Sequence, residues 1–168
     1  MTFTVRDRRS ESPVPVHEVG QPLPIDWRPE LIALDIDDTV VQHMGSAPGE
    51  VVDAIERVQE AGIKVTLATG RSGGTTFPVA RAVGVEDLVV TSNGSVLAMV
   101  ETRKTIEAVT FDPTEPLQQL MELVPDAGFA VEDIHGEFLT THLFDTGPLG
   151  SVIRQVPIEH LTTDPVVR

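Results

Sequence analysis

The sequence predicts an α/β protein, built as a parallel sheet of three strands followed by a smaller α+β unit. Three observations predict it. Apolar runs of strand length at 31–34, 63–68 and 87–91 alternate with stretches of helical character. The segments between them have the length of right-handed crossover units. After residue 94 the pattern changes to paired β-prone runs around a single helix, outside that register. The chain therefore divides into a leader at 1–26, a core unit at 27–94 and a second unit at 95–168.

Composition narrows the function. The chain has 168 residues and a net charge of −14, from 26 acidic against 12 basic residues. So acidic a chain disfavours nucleic acid and anionic membranes as partners, since both are polyanions. The absence of cysteine removes disulfides, thiolate metal sites and thiol nucleophiles. Mean hydropathy is near zero and no apolar stretch is long enough to span a bilayer, so a soluble, cytoplasmic protein is expected. The leader carries Pro13, Pro15, Pro22 and Pro24 with mixed charges and little periodicity, and reads as mobile. Trp27 marks the expected start of packing.

The first strand, 31–34, shows little polar alternation and reads as covered on both faces. Val40 to Ser46, including His43, is a connecting loop. A helix follows over 47–61, with Val51, Ala54, Ile55, Val58 and Ala61 on one face and Gly62 as its stop. The second strand is 63–68. A second helix is expected from Thr75 to Val83, with Pro78 in its first turn and Gly84 beyond its end. The third strand ends in Ser92-Asn93-Gly94. Beyond it come a hairpin of 95–100 with 105–111, and a helix opened by Pro113 with a stripe of Leu117, Leu120, Met121 and Val124. A second hairpin joins 129–134 to 138–143. His135, His142 and His160 share no metal-ligand spacing and read as turn or surface residues. Ile158 to Leu161 suggests a helical turn, and 164–168 the opening of a strand.

The chemistry concentrates at the carboxyl ends of the strands, where open α/β sheets bind ligands. The first strand runs into Asp35-Ile36-Asp37-Asp38-Thr39. Clustered carboxylates repel one another and are costly to desolvate, and a divalent cation with hard oxygen ligands relieves both. The second strand ends in Thr69-Gly70-Arg71, where Gly70 lets the backbone approach an anion closely. Gly73 and Gly74 suit an anion-binding turn at a helix start.

The Asp35-Ile36-Asp37-Asp38-Thr39 segment resembles the first motif of the haloacid dehalogenase-like (HAD) hydrolases. Thr69-Gly70-Arg71 resembles their second motif in the Cof-type phosphatase branch, which also carries an Asn-Gly at the position of Asn93-Gly94. The resemblance implies a Rossmann-like core with an inserted cap, both partial here. It implies Asp35 as the nucleophile that forms an aspartyl phosphate, and Asp37 as general acid and base. It further implies Mg²⁺ held by the Asp35 carboxylate and the Asp37 main-chain carbonyl, with Thr69 and Gly70 binding the substrate phosphate. Asn93 and Arg71 would border the site, although a plain Asn-Gly turn explains Asn93 equally well. The implied activity is a Mg²⁺-dependent phosphatase of small phosphorylated metabolites.

A phosphotransferase or phosphomutase using the same Asp35 is a second reading, and a non-catalytic relic or binding domain a third. The family's third motif, a basic residue, and its fourth, an acidic pair, both follow the cap in this branch. Neither is found in these 168 residues. The resemblance thus covers roughly residues 30–168 as an N-terminal portion. It leaves the Asp35 strand at a sheet edge prone to self-association, and predicts turnover near background for this stretch alone.

Overall fold

The structure is a computed structural model that describes residues 4–5, 25–42, 45–143 and 152–168. His43 and all of the leader except Thr4, Val5, Ile25 and Asp26 lie outside the described residues. The first pair, Thr4–Val5, is a short strand, β1.

The expected βαβ units form. Strand β2 (Leu31–Leu34) leads through helix α1 (Gly49–Glu60) to β3 (Lys64–Leu67), and the two strands run parallel in register Leu31 to Lys64 through Leu34 to Leu67. Helix α1 buries Ile55 and half-buries Val51 and Val58, with Glu50 in its first turn and Arg57 in its last complementing the helix dipole. Helix α2 (Gly73–Ala82) then carries the chain to β4 (Leu88–Thr91). It begins two residues before the expected start, because the Ser72 carbonyl accepts from both Thr75 N and Thr76 N. Pro78 consequently stands inside the helix instead of in its first turn, and deprives the Gly74 carbonyl of its intrahelical donor. Gly62 and Gly84 close the two helices with φ of 80° and 73°, a backbone region that side-chain-bearing residues avoid.

β4 lies parallel to β3, joined by a bridge between Ala68 and Val90. Across the same seam the Thr66 hydroxyl donates to the Leu88 carbonyl at 2.7 Å. The sheet does not stop at three parallel strands. β5 (Val96–Met99) pairs antiparallel with β4, and β6 (Lys104–Ala108) with β5, while β1 adds to β6 in parallel. The hairpin assigned from sequence to the second unit therefore continues the core sheet. Its inward residues Val96, Ala98, Val100 and Ala108 are buried in the same cluster as Leu67 and Val89. Alternation identified the hairpin but could not tell which sheet it joins.

A smaller unit follows. Helix α3 (Thr114–Leu123) precedes β7 (Ala130–Glu132) and β8 (Phe138–Thr140), which form the expected antiparallel hairpin. Its turn is held by Asp133, whose Oδ1 accepts from His135 N at 2.8 Å and Glu137 N at 2.9 Å. A third strand not foreseen from sequence, β9 (Ile153–Gln155), runs parallel to β8, and Ile158–Thr162 forms a 3-10 turn. Of the stripe expected on α3, only Leu117 is buried, beside Val131, Leu161 and Val166. Leu120, Met121 and Val124 are exposed. The final residues return between the units: Val166 exchanges hydrogen bonds with Phe111, and Glu132 with Val167 and Arg168. Val166 joins the small core and its neighbour Val167 the main one.

The first strand departs from expectation. Among the described residues β2 pairs only with β3. Leu31 is 54% and Trp27 47% exposed, so neither is the buried anchor its sequence suggests. Ile32 and Leu34 face α1 across an open apolar cleft of about 320 Å³, while Leu31 and Ala33 alternate onto the uncovered face. No helix among the described residues is long and apolar enough to cross a membrane.

Candidate active site

The carboxyl ends of β2, β3 and β4 converge on one edge of the sheet. After β2 the chain turns sharply around the Ile36 carbonyl, which accepts from Val40 N and Val41 N, both at 2.9 Å. The Ile36 side chain is wholly buried and anchors this turn, and Asp35, Asp37, Asp38 and Thr39 are left exposed around it. Asp38 takes a left-handed conformation with φ of 59°, which Asp tolerates better than most residues.

The loop after β3 is tied down by backbone bonds. Thr69 N donates to the Val90 carbonyl, Asn93 N to the Thr69 carbonyl, and Ser92 N to the Arg71 carbonyl at 2.7 Å. Thr69 is buried, and its hydroxyl oxygen accepts from Arg71 N at 3.2 Å. With that acceptor role filled from the backbone, the hydroxyl hydrogen is available to a further acceptor. Gly70 lies in close approach to Asn93: a Cβ there would stand 2.8 Å from Asn93 Oδ1, so any other residue would displace that side chain. Asn93 thus packs on the Thr69-Gly70-Arg71 loop, and Ser92 and Asn93 hold φ of 52° and 58° to bring the third strand's end against it.

Arg71 connects the two motifs. Its Nε donates to Asp37 Oδ2 at 2.9 Å and its second terminal nitrogen to Asp37 Oδ1 at 2.5 Å, a two-pronged pair that matches the planar fork to the carboxylate. The Arg71 side chain is nearly buried while that of Asp37 is half exposed. The hydrogen bonds from Arg71 hold the Asp37 carboxyl below its ordinary range; burial opposes them, and the positive charge of Arg71 adds to the lowering.

A second polar node lies behind this loop. Glu132, at the end of β7, is wholly buried and accepts from the Ser92 hydroxyl at 2.8 Å. Its other oxygen lies 2.5 Å from Arg168 Nε. Burial pushes the Glu132 carboxyl above its ordinary value, and the Ser92 bond and Arg168 only partly offset this. Arg168 also donates to the Gly70 carbonyl and lies over the Phe138 ring, 5.0 Å from its centre. Sequence reasoning missed Glu132, Ser92 and Arg168. The available signal was a charged residue within the apolar run 129–134, which demands a partner.

Of the site residues read from sequence, Asp37, Thr69, Gly70, Arg71 and Asn93 are brought into one contiguous set of contacts, and Asp35 stands two residues from Asp37 on the same turn. The Gly-rich start of α2 is covered on its Gly73 side and open at Gly74. Gly136, in the turn after β7, packs on it, so that a Cβ at Gly136 would lie 3.8 Å from Gly73 N. His135, His142 and His160 are exposed. For a metal, the Asp35 carboxylate and the Asp37 carbonyl are hard oxygen donors of the kind Mg²⁺ prefers. Among the described residues no cluster of three ligating side chains joins them. That set fits an ion which retains most of its water, as Mg²⁺ readily does.

A parallel α/β core that carries the Asp35 turn and the Thr69-Gly70-Arg71 loop at the carboxyl ends of adjacent strands defines the class. Residues 32–139 match the family of haloacid dehalogenase-like hydrolases, and the chain belongs to that family. It is 27% identical over 127 residues to the pyridoxal phosphate phosphatase YbhA of Escherichia coli, covering 74% of this chain and 44% of that protein. It is 30% identical over 92 residues to a phosphoglycolate phosphatase of Archaeoglobus fulgidus, covering 49% of this chain and 40% of that one. The chain thus spans under half the length of these relatives. Among solved structures, a haloacid dehalogenase-like hydrolase from Bacteroides thetaiotaomicron superposes with a TM-score of 0.64 at 20% identity, over 83% of this chain and 56% of that one. A sugar phosphatase of HAD subclass IIB does so with a TM-score of 0.65 at 19% identity, over 82% and 56%. The fold is that of these proteins.

Proposed function

We propose that this chain forms the nucleophile-bearing part of a Mg²⁺-dependent phosphatase for small phosphorylated metabolites. The observation that carries the reading is the Arg71–Asp37 pair, which docks the Asp35-containing turn against the Thr69-Gly70-Arg71 loop. A phosphate between them would meet a carboxylate nucleophile on one side and a hydroxyl donor on the other.

In this reading an Asp35 oxygen attacks phosphorus as the bond to the leaving oxygen breaks, and Asp37 supplies the proton that the leaving group takes. Water then attacks the aspartyl phosphate, Asp37 accepts its proton, and phosphate is released with Asp35 restored. Asp37 cannot donate a proton while Arg71 holds it ionised. The phosphoryl group offers the same guanidinium a pair of oxygens in the geometry that the carboxylate now fills. Substrate would thus draw Arg71 off Asp37 and onto itself, and Asp37, released from the guanidinium, could take up from solvent the proton that it passes to the leaving oxygen. Mg²⁺ on the Asp35 carboxylate and the Asp37 carbonyl would neutralise charge on the phosphoryl oxygens. Arg71 supplies positive charge where the chain as a whole is strongly negative.

The relatives' substrates, a pyridoxal phosphate, a phosphoglycolate and a sugar phosphate, support a small phosphomonoester as the substrate class. The test is turnover of a generic aryl phosphate with Mg²⁺ by a full-length protein that contains this stretch and by its Asp35→Asn variant. Activity lost in the variant, with an unchanged circular dichroism spectrum, is the expected result. Near-normal activity of Asp35→Asn would remove the nucleophile and the reading with it.

A further inference from the structure

We infer that Arg168 is a positioning residue for the Thr69-Gly70-Arg71 loop, acting through the peptide that joins Gly70 to Arg71. The inference rests on the reading of that loop as phosphate-binding. Arg168 reaches the loop from the far end of the described chain, and three features aim its guanidinium. Glu132 pairs with it from a fully buried position, the Phe138 ring lies beneath it, and the Gly70 carbonyl accepts from it. Glu132 is itself fixed by the Ser92 hydroxyl at the end of β4. The cation is thus referenced to both units of the fold.

The consequence follows from peptide planarity. The Gly70 carbonyl and the Arg71 N–H belong to one planar trans unit and point in opposite directions. Arg168 holds the carbonyl end, and Thr69 Oγ1 accepts from the N–H end. With the carbonyl held, the N–H occupies the Thr69 oxygen and the hydroxyl hydrogen is left to face a ligand. Gly70 carries no Cβ to resist rotation of this unit, so the orientation must be imposed from outside. Rotation would withdraw Arg71 N from Thr69 and leave the hydroxyl free to turn its hydrogen elsewhere. Arg168 is the donor that reaches the Gly70 carbonyl from outside the loop.

Two variants separate positioning from simple packing. Arg168→Lys keeps a charge for Glu132, but one ammonium cannot serve the carboxylate, the carbonyl and the ring together. The pair Glu132→Gln with Arg168→Met removes both charges, so that no buried carboxylate is left uncompensated. Amide hydrogen exchange followed by NMR is the readout. In both variants the Arg71 amide should exchange at least about ten-fold faster, the loss of one charge-assisted hydrogen bond, while Leu67 and Val89 in the neighbouring strands keep their protection. Inorganic phosphate with Mg²⁺ should shift the Thr69 and Arg71 resonances of the parent chain, and do so several-fold more weakly in the variants. Unchanged exchange at Arg71, or a loss of protection spread evenly through Leu67 and Val89, overturns the inference. Selective loss at Arg71 without any phosphate response in the parent chain would sustain the positioning role and remove the phosphate reading instead.

Discussion

Replacing Arg71 with methionine tests the link between the two motif loops most directly. The substitution keeps an unbranched apolar stem in a nearly buried position and removes both hydrogen bonds to Asp37. In a dry interior two charge-assisted bonds would be worth several kcal/mol together. Half of the Asp37 side chain is in water, which competes for the carboxylate and screens the pair, so a loss of about 1 kcal/mol is expected. For a chain of this size that corresponds to a fall of roughly 2–4 °C in Tm. The effect has a pH signature. Arg71 depresses the Asp37 carboxyl below its ordinary value of 3.8, so the stabilisation is fully present above that value and is lost as pH falls through the depressed one. Denaturant melts of parent and variant should therefore differ near neutral pH and converge in strong acid. A gap that persists undiminished at a pH where Asp37 is protonated would mean that packing of the Arg71 stem, not the ion pair, holds the loops together.

Three further outcomes are expected. Gly70→Ala places its Cβ 2.8 Å from Asn93 Oδ1, the end of a movable side chain, so the protein should fold with Asn93 displaced; the Asn93 side-chain amide resonances should shift, and a variant that fails to fold would show the contact to be rigid. Glu132 is held above its ordinary value of 4.5, so its contribution to stability is full below that pH and declines as pH rises through the folded value. Glu132→Gln should remove this decline, and parallel stability–pH curves for parent and variant would contradict it. Leu31→Lys puts a charge on an edge strand with an exposed apolar face, and sedimentation velocity should find less self-association than in the parent chain.

The sequence made the parallel strands and the acidic turn after the first of them readable because both are local. An apolar run ending in Asp35-Ile36-Asp37 carries a strand and a candidate for chemistry in a few residues, although the burial expected on both faces did not follow. Thr69 and Gly70 are legible for the same reason. Contacts between distant segments were not. Arg71 and Asp37 are 34 positions apart, and nothing in either neighbourhood names the other as partner. Glu132 and Arg168 belong to runs whose pattern says only that something charged is buried there. Ile153-Arg154-Gln155 has a single apolar residue, so β9 exists because β8 offers an open edge and not because its own sequence favours a strand. The exposure of Leu31 and Trp27 was illegible too, since hydrophobicity states what a residue would gain from cover, not whether cover is there.

The return of the chain at Val166 and Val167 has a mechanical meaning. Adjacent side chains enter different cores, and the backbone between them is bonded to Phe111 and to Glu132. The units are thus joined by two crossing segments, 109–113 outward and 164–168 back, clasped at the Phe111–Val166 bridge. The small sheet is thereby tied back to the main one through four backbone hydrogen bonds, two to Phe111 and two to Glu132, beside the side-chain bonds from Ser92 to Glu132 and from Thr105 to the Ile134 carbonyl.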